Sequence, residues 1–295
     1  MITIGIGAYR EEKTISATID AIMKQKIKAP FEIIVVCPDE ETSSVVKVLI
    51  KTNKKIKLIN EEKREGQPAA YNRIIKASKG KIIIFTDADA TLEKGAINKI
   101  IDAYKDKKVG ATGGRPYPIN DRTTKFGFWA HFLFYSGHIM RLMQSVSNEF
   151  YYISGPLCSI RKGIINEIPI NALATDAVLG LSIKSKGWKV VYVPDAIVYQ
   201  KAPTNLSDFF KQKRRTMAGF YQLKKWFPTA PSRSLGSEAK YGFVSGLKYA
   251  RNSIERVWFL QLAFYRVIAW LLAFYDIKIK RKSLVELWKP IESSK

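Results

Sequence analysis

Lys81-Ile-Ile-Ile-Phe-Thr-Asp-Ala-Asp89 is a short, β-rich apolar run that stops at two carboxylates flanking one alanine. Similar runs recur through the first half of the chain: Ile2-Thr-Ile-Gly-Ile6, Phe31-Glu-Ile-Ile-Val-Val-Cys37, Ile56-Lys-Leu-Ile59 and, more weakly, Val109-Gly-Ala-Thr112. Between them lie stretches of helical length, Thr14 to Lys26, Ala69 to Ser78 and Glu93 to Tyr104. In the first of these, Ile15, Ile19, Ile22 and Met23 recur at the spacing that lines one helix face. Strands alternating with helices predict an α/β fold with a mostly parallel central sheet flanked by helices. Such sheets bind ligands outside the carboxyl ends of their strands. Gly7-Ala8-Tyr9, Asp39-Glu40-Glu41 and Asp87-Ala88-Asp89 each fall just after a strand, so three turns are expected to share one crevice.

The bulk composition agrees with a globular chain. Of 295 residues, 46% are hydrophobic and 25% charged, enough to bury a full core. Lys and Arg total 49 against 26 Asp and Glu, a net +23 that favours a polyanionic partner. The Lys is spread along the chain with no Arg-rich tail, so nucleic acid is not the expected partner. Cys37 and Cys158 lack CxxC spacing, which argues against a zinc site or disulfide framework and for buried free thiols. The opening Met1-Ile-Thr-Ile-Gly reads directly as a strand with no basic leader before it, so a cytoplasmic location is expected.

Asp87-Ala88-Asp89 suits a hard divalent cation, which takes one or two carboxylates and completes its shell with substrate phosphates. The bland reading is a helix cap ahead of Thr91 to Gly95. Further segments give the pair a context. Ile4-Gly-Ile-Gly-Ala-Tyr-Arg-Glu-Glu12, Val35-Val-Cys-Pro-Asp39, Gly66-Gln-Pro-Ala-Ala-Tyr-Asn72, Ile153-Ser-Gly-Pro-Leu157, Thr175-Asp176, Gly187-Trp-Lys-Val-Val-Tyr-Val-Pro-Asp195 and Gln212-Lys-Arg-Arg215 follow in order. From Ile2 to about Gly219 the chain resembles a family 2 inverting glycosyltransferase of the GT-A fold. Departures are Gly7 and Arg10 where Pro and Asn are usual, Gln67 for Lys, Thr175 for Glu, and Thr216 for the Trp of a Gln-x-x-Arg-Trp motif.

The resemblance implies a set of roles. Asp89 would hold Mg²⁺ or Mn²⁺, with Asp87 near the ribose. Asp176 would be the general base on the acceptor hydroxyl. A hexosyl group would leave a nucleoside diphosphate, with a UDP-sugar favoured over a GDP-sugar. Gly7, Ala8, Tyr9, Glu11, Asp39, Gly66, Gln67, Asn72 and Ala88 would line the donor site. Asp39 and Glu11 read equally as turn or capping residues. Gln212, Arg214 and Arg215 would face the diphosphate, Arg215 by motif position. Residues 1–225 are expected to be the catalytic domain, with a nucleotide half to about 120 and an acceptor half after it. Residues 226–295 would be a helical membrane-associating region.

The second half is aromatic from Thr123 to Met143 and almost wholly apolar from Val257 to Tyr275; between them Lys189-Val-Val-Tyr-Val193 reads as a strand, and the resemblance implies another at Ile153-Ser-Gly-Pro-Leu157. Arg266, with Gln261 and Tyr265, resists a bilayer span, because an Arg at mid-helix costs roughly 2.5–3.5 kcal/mol on insertion scales. A helix lying in the interface is expected, the aromatic segment being a second such element, with Lys-rich flanks on anionic lipid at the cytoplasmic face. The acceptor would then be a lipid or lipid-linked. His131 and His138, seven apart amid aromatics, read as packed imidazoles. A processive synthase and a sugar nucleotidyltransferase are the alternatives.

Overall fold

The computed structural model describes residues 1–228, 246–282, 284–287 and 291–294, so residues 229–245 of the expected C-terminal region lie outside the described residues. Contacts divide the chain into two interleaved units. The first is Met1–Pro116, Gln144–Asn171 and Thr175–Gln200; the second is Tyr117–Met143, Ala172–Ala174 and Lys201–Lys295.

In the first unit, β1 (Ile2–Gly7), α1 (Ile15–Met23), β2 (Phe31–Cys37), α2 (Glu40–Thr52), β3 (Ile56–Asn60), α3 (Gln67–Ala77) and β4 (Ile82–Asp87) follow as βα repeats. β1 pairs in parallel with β2 and with β4, and β2 with β3. Ile33, Ile34, Val35, Val36, Ile83 and Ile84 are at most 1% exposed, as strands covered on both faces require. The register sets Gly7 opposite both Val36 and Asp87, so the ends of β1, β2 and β4 share one edge.

Further along come β5 (Thr91–Leu92), α4 (Ala96–Ala103), β6 (Val109–Pro118), α5 (Lys125–Val146), β7 (Leu157–Arg161), α6 (Thr175–Ser185) and β8 (Lys189–Gln200). They complete an eight-stranded sheet of order β3-β2-β1-β4-β7-β6-β8-β5. β7 runs antiparallel to β4 and β6, and β5 antiparallel to β8. Three sequence expectations change here. The weak strand at Val109 extends to Pro118, and that at Lys189 extends to Gln200. The Ser-Gly stretch at Ile153 is a turn, and its strand begins only at Leu157.

In the second unit, α5 is followed by α7 (Leu206–Trp226) and α8 (Ser253–Phe274), whose N-caps Asn205 and Asn252 accept from the N–H groups of Asp208 and Glu255. Phe128, Trp129, Phe132, Phe209, Phe259 and Leu262 form its core. The Trp129 indole N–H donates to the Trp258 carbonyl at 2.7 Å. The aromatic stretch expected at an interface is interior only in its first part: Phe128, Trp129 and Phe132 are buried, whereas from Leu133 to Met143 every residue is half-buried or exposed, with Tyr135, Ile139 and Met143 standing outward. Tyr265 likewise turns inward, against Trp129 and Phe210, rather than joining a polar outer stripe. His131 bonds the Asn120 carbonyl and meets the Tyr117 ring edge-on, as a packed imidazole does.

α8 has two apolar faces. Phe259, Leu262, Ala269, Trp270 and Ala273 are buried, whereas Ile254, Val257, Leu260, Phe264, Val267, Leu271 and Phe274 are exposed at three- and four-residue spacing. Ser253–Ile279 is the one helix among the described residues long and apolar enough to cross a membrane, by length and composition.

Candidate functional site

β4 ends at Asp87 because the chain turns there, the Ala90 N–H reaching back to the Asp87 carbonyl at 3.4 Å. Neither Asp87 nor Asp89 caps a helix, since Gly95, at φ +82°, opens α4. The turn is held from beneath by Thr18 of α1. Its buried hydroxyl lies 2.8 Å from the Ala88 carbonyl and 3.2 Å from that of Ala90. At the side, the Gln200 amide donates to Asp87 Oδ2 at 3.1 Å.

Asp176 sits in the first turn of α6. Its Oδ1 accepts the Ala177 N–H at 2.9 Å and its Oδ2 the Gly155 N–H at 3.0 Å. One bond satisfies the helix start, and the other ties the carboxylate to the turn before β7. That turn adjoins the end of β4, because Thr86 pairs with Leu157 and its hydroxyl donates to the Pro156 carbonyl at 2.8 Å. Asp87 and Asp176 consequently act on the same buried groups. Burial drives the Cys158 thiol well above its ordinary pKa, and both carboxylates add to that shift. The Tyr71 hydroxyl is raised for the same reasons, burial first.

The remaining predicted donor residues are distributed around this edge. Ala8 is buried and its N–H continues the strand pairing to the Val36 carbonyl. Gly7 leaves a Cβ-sized gap, with the Ala70 methyl 3.4 Å away. The Tyr9 ring lies under two guanidinium groups, Arg64 at 4.3 Å and Arg10 at 5.3 Å. Arg10 stands at φ +56°, a left-handed conformation that Asn adopts more readily. Asp39 caps α2, accepting the Thr42 N–H on Oδ1 and the Arg10 N–H on Oδ2. Burial opposes its ionisation, but these bonds outweigh it and hold the carboxyl below its usual range. Glu11 accepts the Thr14 hydroxyl at 2.7 Å. Cys37 is pushed up to about 12 by burial and is not a nucleophile at neutral pH.

Gly66, at φ +95°, opens α3, and the Gln67 amide reaches the Tyr71 hydroxyl at 3.4 Å. Asn72 departs from its expected role. Its amide clasps both backbone groups of Ile168, donating to the carbonyl at 2.8 Å and accepting the N–H at 2.8 Å, so both ends are committed to the fold.

Gln212, Arg214 and Arg215 lie on α7 in the second unit. Gln212 accepts from Lys213 Nζ. Arg214 departs from the expected diphosphate role. Its Nε and Nη2 both bind one oxygen of Asp276, a fully buried carboxylate whose other oxygen takes Lys282. Burial raises the Asp276 pKa, but the two cations more than offset it and hold the group ionised.

For a metal, the carboxylates placed suitably are Asp87 and Asp89. Among the described residues no group of three or more His, Cys, Asp or Glu side chains could hold an ion by itself. That donor set fits a hard cation taking most of its ligands from substrate phosphate and water.

A sequence profile described as Glycosyltransferase like family 2 matches residues 2–219, well over half the chain. The chain belongs to glycosyltransferase family 2. A poly-beta-1,6-N-acetyl-D-glucosamine synthase from Staphylococcus aureus strain COL is 23% identical over 240 residues, covering 79% of this chain and 58% of the relative. This chain thus spans little more than half the length of the curated relatives it matches. Among solved structures, the mannosyltransferase PcManGT from Pyrobaculum calidifontis, in complex with GDP-Man and Mn²⁺, aligns with a TM-score of 0.69 at 18% identity, over 93% of this chain and 87% of that one. TarS 1-349 of S. aureus, in complex with UDP-GlcNAc, aligns at 0.53 and 15%, over 93% and 80%. These likenesses establish a GT-A fold.

Thr18, Gly155 and Gln200 hold this carboxylate edge by hydrogen bonds, and the sequence reading does not single them out. Thr18 had a signal, a polar residue on the apolar face of Ile15, Ile19 and Ile22. Gly155 lies inside the recognised Ser-Gly stretch. Gln200 had none, because its strand was read only as far as Val193.

Proposed function

We propose that this protein is an inverting glycosyltransferase that moves a hexosyl group from a nucleoside diphosphate onto a membrane-associated lipid or lipid-linked hydroxyl. The carrying observation is that β4 ends in Asp87-Ala-Asp89 beside an Asp176 whose two oxygens are aimed by the Gly155 and Ala177 N–H groups. On this reading Asp176 takes the proton of the acceptor hydroxyl, and general-base help of this kind supplies about 10²–10⁴-fold. Asp89 would hold Mg²⁺ or Mn²⁺, whose charge offsets that developing on the diphosphate. Asp87 faces the ribose side, and Tyr9, Glu11 and Asp39 line the nucleoside end, with UDP favoured over GDP. Arg215 is the diphosphate cation of α7, Arg214 being held by Asp276. Residues 1–225 form the catalytic domain on this reading. The outward apolar stripe of α8, with Arg256, Lys278, Lys280 and Arg281 exposed near its ends, suits an anionic membrane surface on the cytoplasmic side.

The test separates binding from chemistry. Asp89→Ala should weaken UDP or GDP binding in Mn²⁺ about tenfold, or 1.4 kcal/mol. Asp176→Asn should leave that binding intact while transfer falls by about 10²–10⁴-fold. Retained transfer in Asp176→Asn, or nucleotide affinity indifferent to chelator, overturns the assignment. Release of pyrophosphate instead of nucleoside diphosphate would point to a nucleotidyltransferase.

A further inference from the structure

We infer that Gln200 is a positioning residue for the carboxylate turn after β4, acting on the Asp87 side chain. The inference rests on the donor-site reading above and concerns what holds that site in shape.

Sheet pairing delivers Gln200 to the turn. β8 runs antiparallel to β5, with Tyr199 opposite Thr91 and Val198 opposite Leu92. The next residue outward on β8 is Gln200, and the next inward on the other side is Ala90, the end of the Asp87–Ala90 turn. β5 has only Thr91 and Leu92, and their pairing brings the end of β8 alongside that turn. There the Gln200 amide meets Asp87 Oδ2 at 3.1 Å.

Thr18 and Gln200 divide the work. The Thr18 hydroxyl fixes the backbone, through the Ala88 and Ala90 carbonyls, but a fixed backbone leaves the Asp87 side chain its rotamers. Gln200 restrains that side chain by holding one of its oxygens. The chemistry of the holder matters as well. A Lys or Arg here would neutralise Asp87 as an ion pair, whereas an amide donates one hydrogen bond and carries no charge. Gln200 therefore directs the Asp87 carboxylate without itself neutralising it. Preorganisation of this kind spares the bound state the entropy of fixing the side chain.

The experiment measures binding of UDP and of GDP, each with Mn²⁺, by calorimetry, alongside the unfolding midpoint of the ligand-free protein. Gln200→Met keeps the length and loses the donor. It should weaken nucleotide binding by about tenfold and leave the unfolding midpoint unchanged. Gln200→Asn, whose amide is retracted by one methylene, should lose the same affinity. In a double-mutant cycle with Asp87→Asn, the two effects should be strongly non-additive, because one residue acts through the other. Additive effects, or wild-type affinity in Gln200→Met while Asp87→Asn binds weakly, overturn the positioning role and spare the donor site. Wild-type affinity in Asp87→Asn itself overturns the donor-site reading, and the positioning role falls with it.

Discussion

Gly180→Ala is expected to slow transfer about a hundredfold while sparing nucleotide binding. Gly180 lies one turn after Asp176 on the same face of α6. A Cβ at Gly180 would stand 1.7 Å from the Tyr151 carbonyl oxygen and 2.9 Å from its carbon. An ordinary C···O contact needs about 3.3 Å, so α6 and the segment at Tyr151 must part by roughly 1.6 Å. Tyr151 leads directly into the turn whose Gly155 N–H holds Asp176 at 3.0 Å. A shift of that size stretches the bond beyond hydrogen-bonding range and turns the carboxylate loose. Misplacing a catalytic group by about 1 Å costs on the order of 10²-fold in rate, or about 2.7 kcal/mol. Overpacking should also destabilise the fold by about 1–3 kcal/mol. The assay pairs initial rates of sugar transfer with calorimetric nucleotide binding, and Ser182→Ala on the same helix serves as control. Wild-type turnover in Gly180→Ala would refute the reasoning, as would a loss of nucleotide binding equal to the loss of rate.

Arg214→Met should lower stability by about 2–4 kcal/mol, since it strips two hydrogen bonds from a buried carboxylate, and urea unfolding reads this. Arg215→Met should weaken UDP or GDP binding more than Arg214→Met does; the reverse order would return the diphosphate role to Arg214. Asp208 gives a pH test. Burial opposes its ionisation, yet bonds from Lys211 and Ser293 hold its pKa down to about 2. A carboxyl depressed below its unfolded value of about 3.9 contributes stability above that value, on the order of 2 kcal/mol, and loses it as pH falls toward 2. Asp208→Asn should therefore cost the same at pH 6 as at pH 5, and progressively less below pH 4. On α8, Phe264→Lys and Leu271→Lys, at positions 63% and 62% exposed, should reduce sedimentation with anionic vesicles without altering the far-UV spectrum. Undiminished vesicle binding would remove that face from the membrane role.

The parallel half of the fold was legible because its strands are short, apolar and separated by helices, and because polar turn residues stop them at one edge. Asp87 and Asp176 could be picked out since each stands at an element boundary, where a carboxylate serves either a cap or a ligand. What the sequence hid were pairings between distant segments. Thr91–Leu92 is a strand only because β8 lies beside it. Asn72 looked like a donor residue because nothing local reveals that Ile168 occupies both ends of its amide. Arg214 and Arg215 are neighbours of identical type, and nothing local reveals that Asp276 holds Arg214.

The same dependence on distant partners bears on how α8 can meet a bilayer. Hydropathy alone makes it a span, but its charged ends argue otherwise. Near its start, Glu255 is 7% exposed and takes Arg122 at 3.1 Å; just beyond its end, Asp276 is fully buried against Arg214 and Lys282. Between those two points Phe259, Leu262 and Trp270 are packed inside the second unit, so the helix is fastened along its whole length. A helix crossing the membrane with lipid around it would break both ion pairs, each costing about 3–5 kcal/mol when one partner is left buried alone. It would also strip the aromatic cluster from its inner face. Lying flat requires neither. In that placement the inner face would keep its protein contacts while Val257, Leu260, Phe264, Val267 and Leu271 would meet the acyl boundary, with the flanking Lys and Arg among the headgroups.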